Sequence, residues 1–151
     1  MNDFNAENIN EDSIKLLREC DAGARMGIES IDDVLDNIES DELRELISHS
    51  RTRHIEIQDD ITSLLKEYQD DGKEPAMMAT MMAKMKTEMK MMIEDPDKSA
   101  ASLIVDGCNM SIKSISKYLN KYSEANDRVR HLVDDIIAEE EKLSKKLRAF
   151  L

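Results

Sequence analysis

Tryptophan is absent from this chain of 151 residues, and there are only two Phe, three Tyr, two Pro and four Gly. Sheets draw on aromatic and β-branched residues and on frequent turn formers, so a β-rich fold has little to build with. Leu, Ile, Met, Glu, Lys and Asp dominate instead, and they favour helices. An all-α fold is expected. Positive charge is also scarce: 33 acids face 21 Lys and Arg, a net charge of −12. Such a balance opposes binding to phosphate backbones and to anionic lipid, so neither nucleic acid nor a membrane surface is an expected partner. No apolar run approaches the roughly 20 residues that span a bilayer, and Met1-Asn2-Asp3-Phe4-Asn5 lacks the basic and apolar regions of a secretory signal. A soluble, cytoplasmic protein is the expectation.

Two cysteines, Cys20 and Cys108, have no His or Cys neighbours at metal-binding spacing and form no secreted disulfide framework. They read as buried free thiols. A Gly-x-Ser-x-Gly turn, a Cys-His pairing with a third orienting group and a glycine-rich phosphate loop are all missing. The chain is therefore expected not to be an enzyme.

What is present is helical periodicity. Residues 1–11 are a polar lead-in, and residues 12–151 form one domain. Ile14, Leu17, Ala24, Ile28, Ile31, Leu35 and Ile38 predict a first helix over Asp12–Ile38. Ser40 is its successor's expected N-cap, with Asp41 and Glu42 in the first turn. Leu43, Ile47, Ser50, His54, Ile57, Ile61, Leu64 and Tyr68 step by three and four residues along that second helix, which Asp71-Gly72 ends. Between Pro75 and Glu94, Met78, Met81, Met82, Met85, Met89, Met92 and Ile93 share one stripe, predicting an amphipathic helix. Asp95 then caps a helix that begins at Pro96 and carries Ala101, Val105, Cys108, Ile112, Ile115 and Leu119. Ser123 is the expected cap of a last helix with Val129, Leu132, Val133, Ile136, Leu143, Leu147 and Phe150 on one face.

The chain repeats itself. Gly23-x-x-Met26-Gly27-Ile28-x-Ser30-Ile31-x-x-x-Leu35 matches Gly107-x-x-Met110-Ser111-Ile112-x-Ser114-Ile115-x-x-x-Leu119 at a constant offset. With two residues inserted at the turn, Leu43, Leu46, Ile47, Ile57 and Ile61 continue against Val129, Leu132, Val133, Leu143 and Leu147. Two helical hairpins, 12–71 and 96–151, are thus joined by a crossover over 75–94. A helix of about 20 residues spans about 30 Å, enough to carry the chain between opposite ends of a bundle. The first helices of the two hairpins would then be antiparallel and the halves related by a pseudo-twofold axis. Gly23, Gly27, Gly107 and Ser111 would let those two helices approach closely.

This arrangement resembles the ferritin-like superfamily, and the duplicated Gly-x-x-Met-(Gly/Ser)-Ile-x-Ser-Ile stretch looks like a bacterial branch of it. The resemblance implies an antiparallel four-helix core with the methionine helix along the outside. Members that bind two metal ions carry Glu on two helices and Glu-x-x-His on the other two. Here His49, His54 and His131 are preceded three residues earlier by Leu46, Arg51 and Arg128. No cofactor is expected, with iron or manganese at an atypical mid-bundle site as the alternative.

Polar residues on the core stripes are the candidates for such a site: Asp21, Ser50, His54 and Glu140. Counting from the turns places them near mid-bundle, within about 10 Å of one another. Buried charges must be paired or neutralised. One reading is an internal ion pair between His54 and a carboxylate that fixes helix register; the other is an altered metal or proton-transfer site using Asp21, His54 and Glu140. Glu45 with His49, and His131 with Asp135, point away from the seams and read as solvated pairs. Met77 and Met91 lie off the methionine stripe and are the expected interface residues of a homo-oligomer, dimeric or larger. The function expected is protein association or self-assembly.

Overall fold

A computed structural model describes residues 10–68, 70 and 95–151. Four helices make up the described chain: α1 (Glu11–Leu35), α2 (Asp41–Glu67), α3 (Pro96–Lys121) and α4 (Asp127–Leu147). A 3₁₀ turn at Arg148–Phe150 follows α4, and no strand occurs among the described residues. Each α-helix opens on a side-chain cap that accepts from a backbone N–H three residues on: Asn10 from Ser13, Ser40 from Leu43, Asp95 from Lys98 and Asn126 from Val129. These bonds satisfy donors that have no partner inside the helix.

Several expected boundaries shift. The first helix stops at Leu35 rather than Ile38, because i→i+3 bonds from Asn37 to Val34 and from Ile38 to Leu35 tighten its end into a turn. Ile38 still reaches the core from that turn. Asn126, not Ser123, caps α4, since the capping side chain must stand three residues before the Val129 amide; the Ser123 carbonyl accepts from Arg130 instead. Phe150 lies in the 3₁₀ turn and packs on the core from there. Asp71-Gly72 and the methionine stretch lie outside the described residues.

The helices pair as α1 with α2 and α3 with α4, and α1 packs against α3. Hydrogen bonds set the directions. At one end the Asn10 side chain donates to the Glu124 carbonyl (2.6 Å), and the Asn126 amide donates to Ser13 Oγ (2.8 Å). At the other end the Asp97 carboxylate accepts from the Glu39 (2.7 Å) and Ser40 (3.0 Å) amides. The start of α1 thus meets the end of α3, and the end of α1 meets the start of α3, so the two run antiparallel. Arg128 with Glu67 and His54 with Glu140 make α2 and α4 antiparallel in the same way. Asp70 and Asp95 consequently stand at opposite ends of the bundle.

Burial follows the heptad-like stripes and falls into two clusters. Leu16, Leu17, Cys20, Ile57, Ile61, Ile115, Val129 and Val133 fill one end. Ile31, Val34, Leu43, Ile47, Ile104, Cys108, Leu143 and Leu147 fill the other. Ile28 and Ile112 are only half-buried and belong to neither cluster. Their spacing suits the stripe, but the seam each helix presents is centred on the side of Ile31 and Ile115, which leaves Ile28 and Ile112 at its flank.

Candidate functional site

The two apolar clusters part at mid-bundle, where each core stripe carries a small or polar residue: Gly27 on α1, Ser50 and His54 on α2, Ser111 on α3 and Glu140 on α4. His54 and Glu140 are 5% and 7% exposed. Nε2 of His54 lies 2.5 Å from Glu140 Oε1, and Nδ1 lies 2.7 Å from the Ser50 carbonyl oxygen one turn earlier on the same helix. The Ser50 hydroxyl sits 3.3 Å from the same Nδ1. A carbonyl oxygen can only accept, so Nδ1 carries a hydrogen and donates it. Burial acts to lower the His54 pKa, but the hydrogen bond and charge of Glu140, with the Ser50 carbonyl and Glu139, outweigh it and hold the imidazole above its ordinary value. With Nδ1 donating to Ser50, the 2.5 Å contact between Nε2 and Glu140 Oε1 calls for a proton shared between the two groups.

Gly27 makes room for this ring. A methyl group at that position would come 3.0 Å from His54 Cδ2 and 3.3 Å from Nε2. Close approach is therefore real at Gly27, but what approaches is the imidazole rather than the α3 backbone. At Gly23 a methyl would meet nothing within 4 Å, so the helix contact expected there is not what that glycine serves. Gly23, Gly27, Gly107 and Ser111 instead all border a partly open pocket of about 40 Å³ between α1 and α3, with His54, Cys108 and Glu140 in its wall. That volume admits a few water molecules at most.

Comparison with known protein families, curated proteins and solved structures finds no match. What the site can do follows from its own chemistry. The Cys108 thiol lies beside Glu140; burial and that neighbouring negative charge push its pKa upward, so it stays a thiol. Cys20, buried in the other cluster beside Glu19 and Asp21, is pushed up to about 12. Both cysteines are free.

Of the three candidate ligands, His54 and Glu140 meet and Asp21 does not join them. Asp21 is buried, but its carboxylate pairs with Arg25 one turn along α1. Among the described residues no three His, Cys, Asp or Glu side chains gather in a group suited to a metal ion. No buried side-chain nitrogen or oxygen among them lacks a hydrogen-bond partner. Glu45, His49, His131 and Asp135 are exposed, as their positions off the seams imply. Met77 and Met91 lie outside the described residues. The placing of Cys108 beside Glu140 was not visible in the sequence: the position matching Cys108 in the first hairpin is Ala24, so the repeat gave no sign of it.

Proposed function

We propose that this chain is a non-enzymatic, cytoplasmic member of the ferritin-like type, built from two duplicated hairpins, whose middle is sealed by an ion pair and which works through association with copies of itself. The observation that carries this reading is the His54–Glu140 pair. A metal-holding centre of that superfamily gathers several carboxylates whose negative charge awaits a cation. Here one carboxylate reaches the middle, and an imidazolium on the neighbouring helix already neutralises it. Catalysis finds no starting point either, because both thiols are locked in the protonated form.

Duplication is supported by matched contacts. His54 and Glu140 each stand thirteen residues after the first residue of their helices, Asp41 and Asp127. The N-cap amides of Ser40 and Asn126, equivalent in the two hairpins, each donate to the other hairpin's first helix, at Asp97 and at Ser13. Opposite placement of Asp70 and Asp95 is what a crossover over 75–94 requires.

Among the described residues Leu151 is the only exposed large hydrophobic, so self-association draws on the methionine-rich stretch, with Met77 and Met91 as the residues to test. Size-exclusion chromatography with light scattering on the full chain at micromolar concentration should give a dimer or larger particle, and M77Q/M91Q should shift it toward monomer. A strictly monomeric parent would overturn the association. Near-stoichiometric iron or manganese in protein purified without chelator, lost on His54→Ala, would overturn the sealed centre.

A further inference from the structure

The proton between His54 and Glu140 joins the two hairpins at their midpoint, since His54 belongs to α2 and Glu140 to α4. Geometry makes that proton obligatory. With Nδ1–H committed to the Ser50 carbonyl, a neutral ring would turn the lone pair of Nε2 onto a carboxylate oxygen 2.5 Å away. Two acceptors at that separation repel. On the α1 side the ring faces Gly27, where an added methyl would come 3.0 Å from Cδ2 and 3.3 Å from Nε2. His54 and Glu140 both border the pocket, whose volume admits water.

The charged surroundings leave Glu140 no substitute partner within the core. From α1 the group facing the ring is Gly27, without charge; α2 brings Ser50, and Arg53 engaged with Glu56 (2.6 Å) and Glu139 (3.8 Å). From α3 comes Cys108, an uncharged thiol beside Glu140, and α4 contributes Glu139, a second negative charge. Once the imidazolium gives its Nε2 proton to hydroxide, forming water, the pair passes from net neutral to a net charge of −1. A single buried carboxylate must then find water.

We propose that this shared proton is a latch between the hairpins, and that its removal by base loosens the middle of the bundle while the two capped ends stay closed. The inference concerns the interior and stands whether or not the chain self-associates.

Amide hydrogen exchange on the full chain, with rates divided by the intrinsic rate at each pH, tests the latch alongside the imidazole nitrogen resonances of His54. Between pH 6 and pH 10, protection of amides near His54 and Glu140 should fall about tenfold or more as the ring loses its proton, because one unmatched member of a buried ion pair costs more than a tenfold shift in an opening equilibrium. Amides in the Leu16–Ile61 and Val34–Leu43 layers should change far less. E140Q is the control: its amide can donate to a neutral Nε2, so protection in that variant should not depend on pH. Parent protection that survives deprotonation of His54, equal loss in parent and E140Q, or a ring still protonated at pH 10 would each overturn the proposal.

Discussion

His54 Nε2 lies 2.5 Å from Glu140 Oε1, and the two residues occupy the same position in the second helix of their respective hairpins. A charge pair this deeply buried is held by mutual compensation, so removing one member costs far more than removing both. Glu140→Leu should lower the unfolding free energy by about 3–5 kcal/mol, leaving an imidazole that must discharge or hydrate. The double variant H54L/E140L should recover much of that loss, because two apolar side chains would join the clusters on either side into one core. Urea denaturation of the parent, both single variants and the double variant checks this through the sign of the coupling energy.

The pH dependence has a definite sign. The folded-state pKa of His54 is raised by Glu140 against the opposing effect of burial, so the native state holds this proton more firmly than the unfolded chain does. Its stabilisation is fully present below the ordinary histidine value of about 6.5 and is lost as pH rises through the raised folded value. The stability gap between the parent and H54L/E140L should therefore be constant in mildly acidic solution and move steadily against the parent under alkaline conditions. Thermal melts of the two proteins across the range measure it, and a gap independent of pH would contradict the assignment.

Gly23 and Gly27 occupy the same helix four residues apart, yet substitution should act in opposite directions. A Cβ at Gly23 meets nothing within 4 Å, so Gly23→Ala should stabilise the protein by about 0.5–1 kcal/mol through helix propensity alone. A Cβ at Gly27 would sit 3.0 Å from a ring held by bonds at both nitrogens. Gly27→Ala should destabilise, since overpacking costs about 1–3 kcal/mol and moving the ring strains its bond to Glu140. Chemical denaturation midpoints of the two variants should fall on either side of the parent's.

Helical stripes made the four described helices legible, because a 3.6-residue period and short polar caps are local signals that tertiary packing here reinforces. The second helix shows it best: Leu43, Ile47, Ser50, His54, Ile57, Ile61 and Leu64 are all buried as their steps imply. The pairing of His54 was legible too, as one of two readings, since a basic and an acidic residue the same number of residues into two antiparallel helices of similar length face each other. Ile28 and Asp21 were not, for a shared reason. Spacing alone leaves a helix face uncertain by a residue or so, and whether that face turns to the seam or to a neighbour one turn along its own helix is settled by packing. Asp21 found Arg25, four residues on.

The hairpin turns are each held by a residue of the opposite hairpin, and these two contacts should contribute independently. Asp97 of α3 accepts from the Glu39 and Ser40 amides. Ser13 of α1, fully buried, accepts from the Asn126 amide while donating to Asn10 Oδ1 at 2.8 Å. Asp97→Ala and Ser13→Ala should each cost about 1–2 kcal/mol, because each leaves backbone donors at a turn without their acceptor. Asp97 sits with the Val34–Leu43 layer and Ser13 with the Leu16–Val129 layer, at opposite ends of the bundle, so the double variant should lose the sum of the two within about 0.5 kcal/mol. A double variant that loses much more than the sum would mean that opening one end already opens the other, and that the His54–Glu140 layer does not divide the core into separately capped halves.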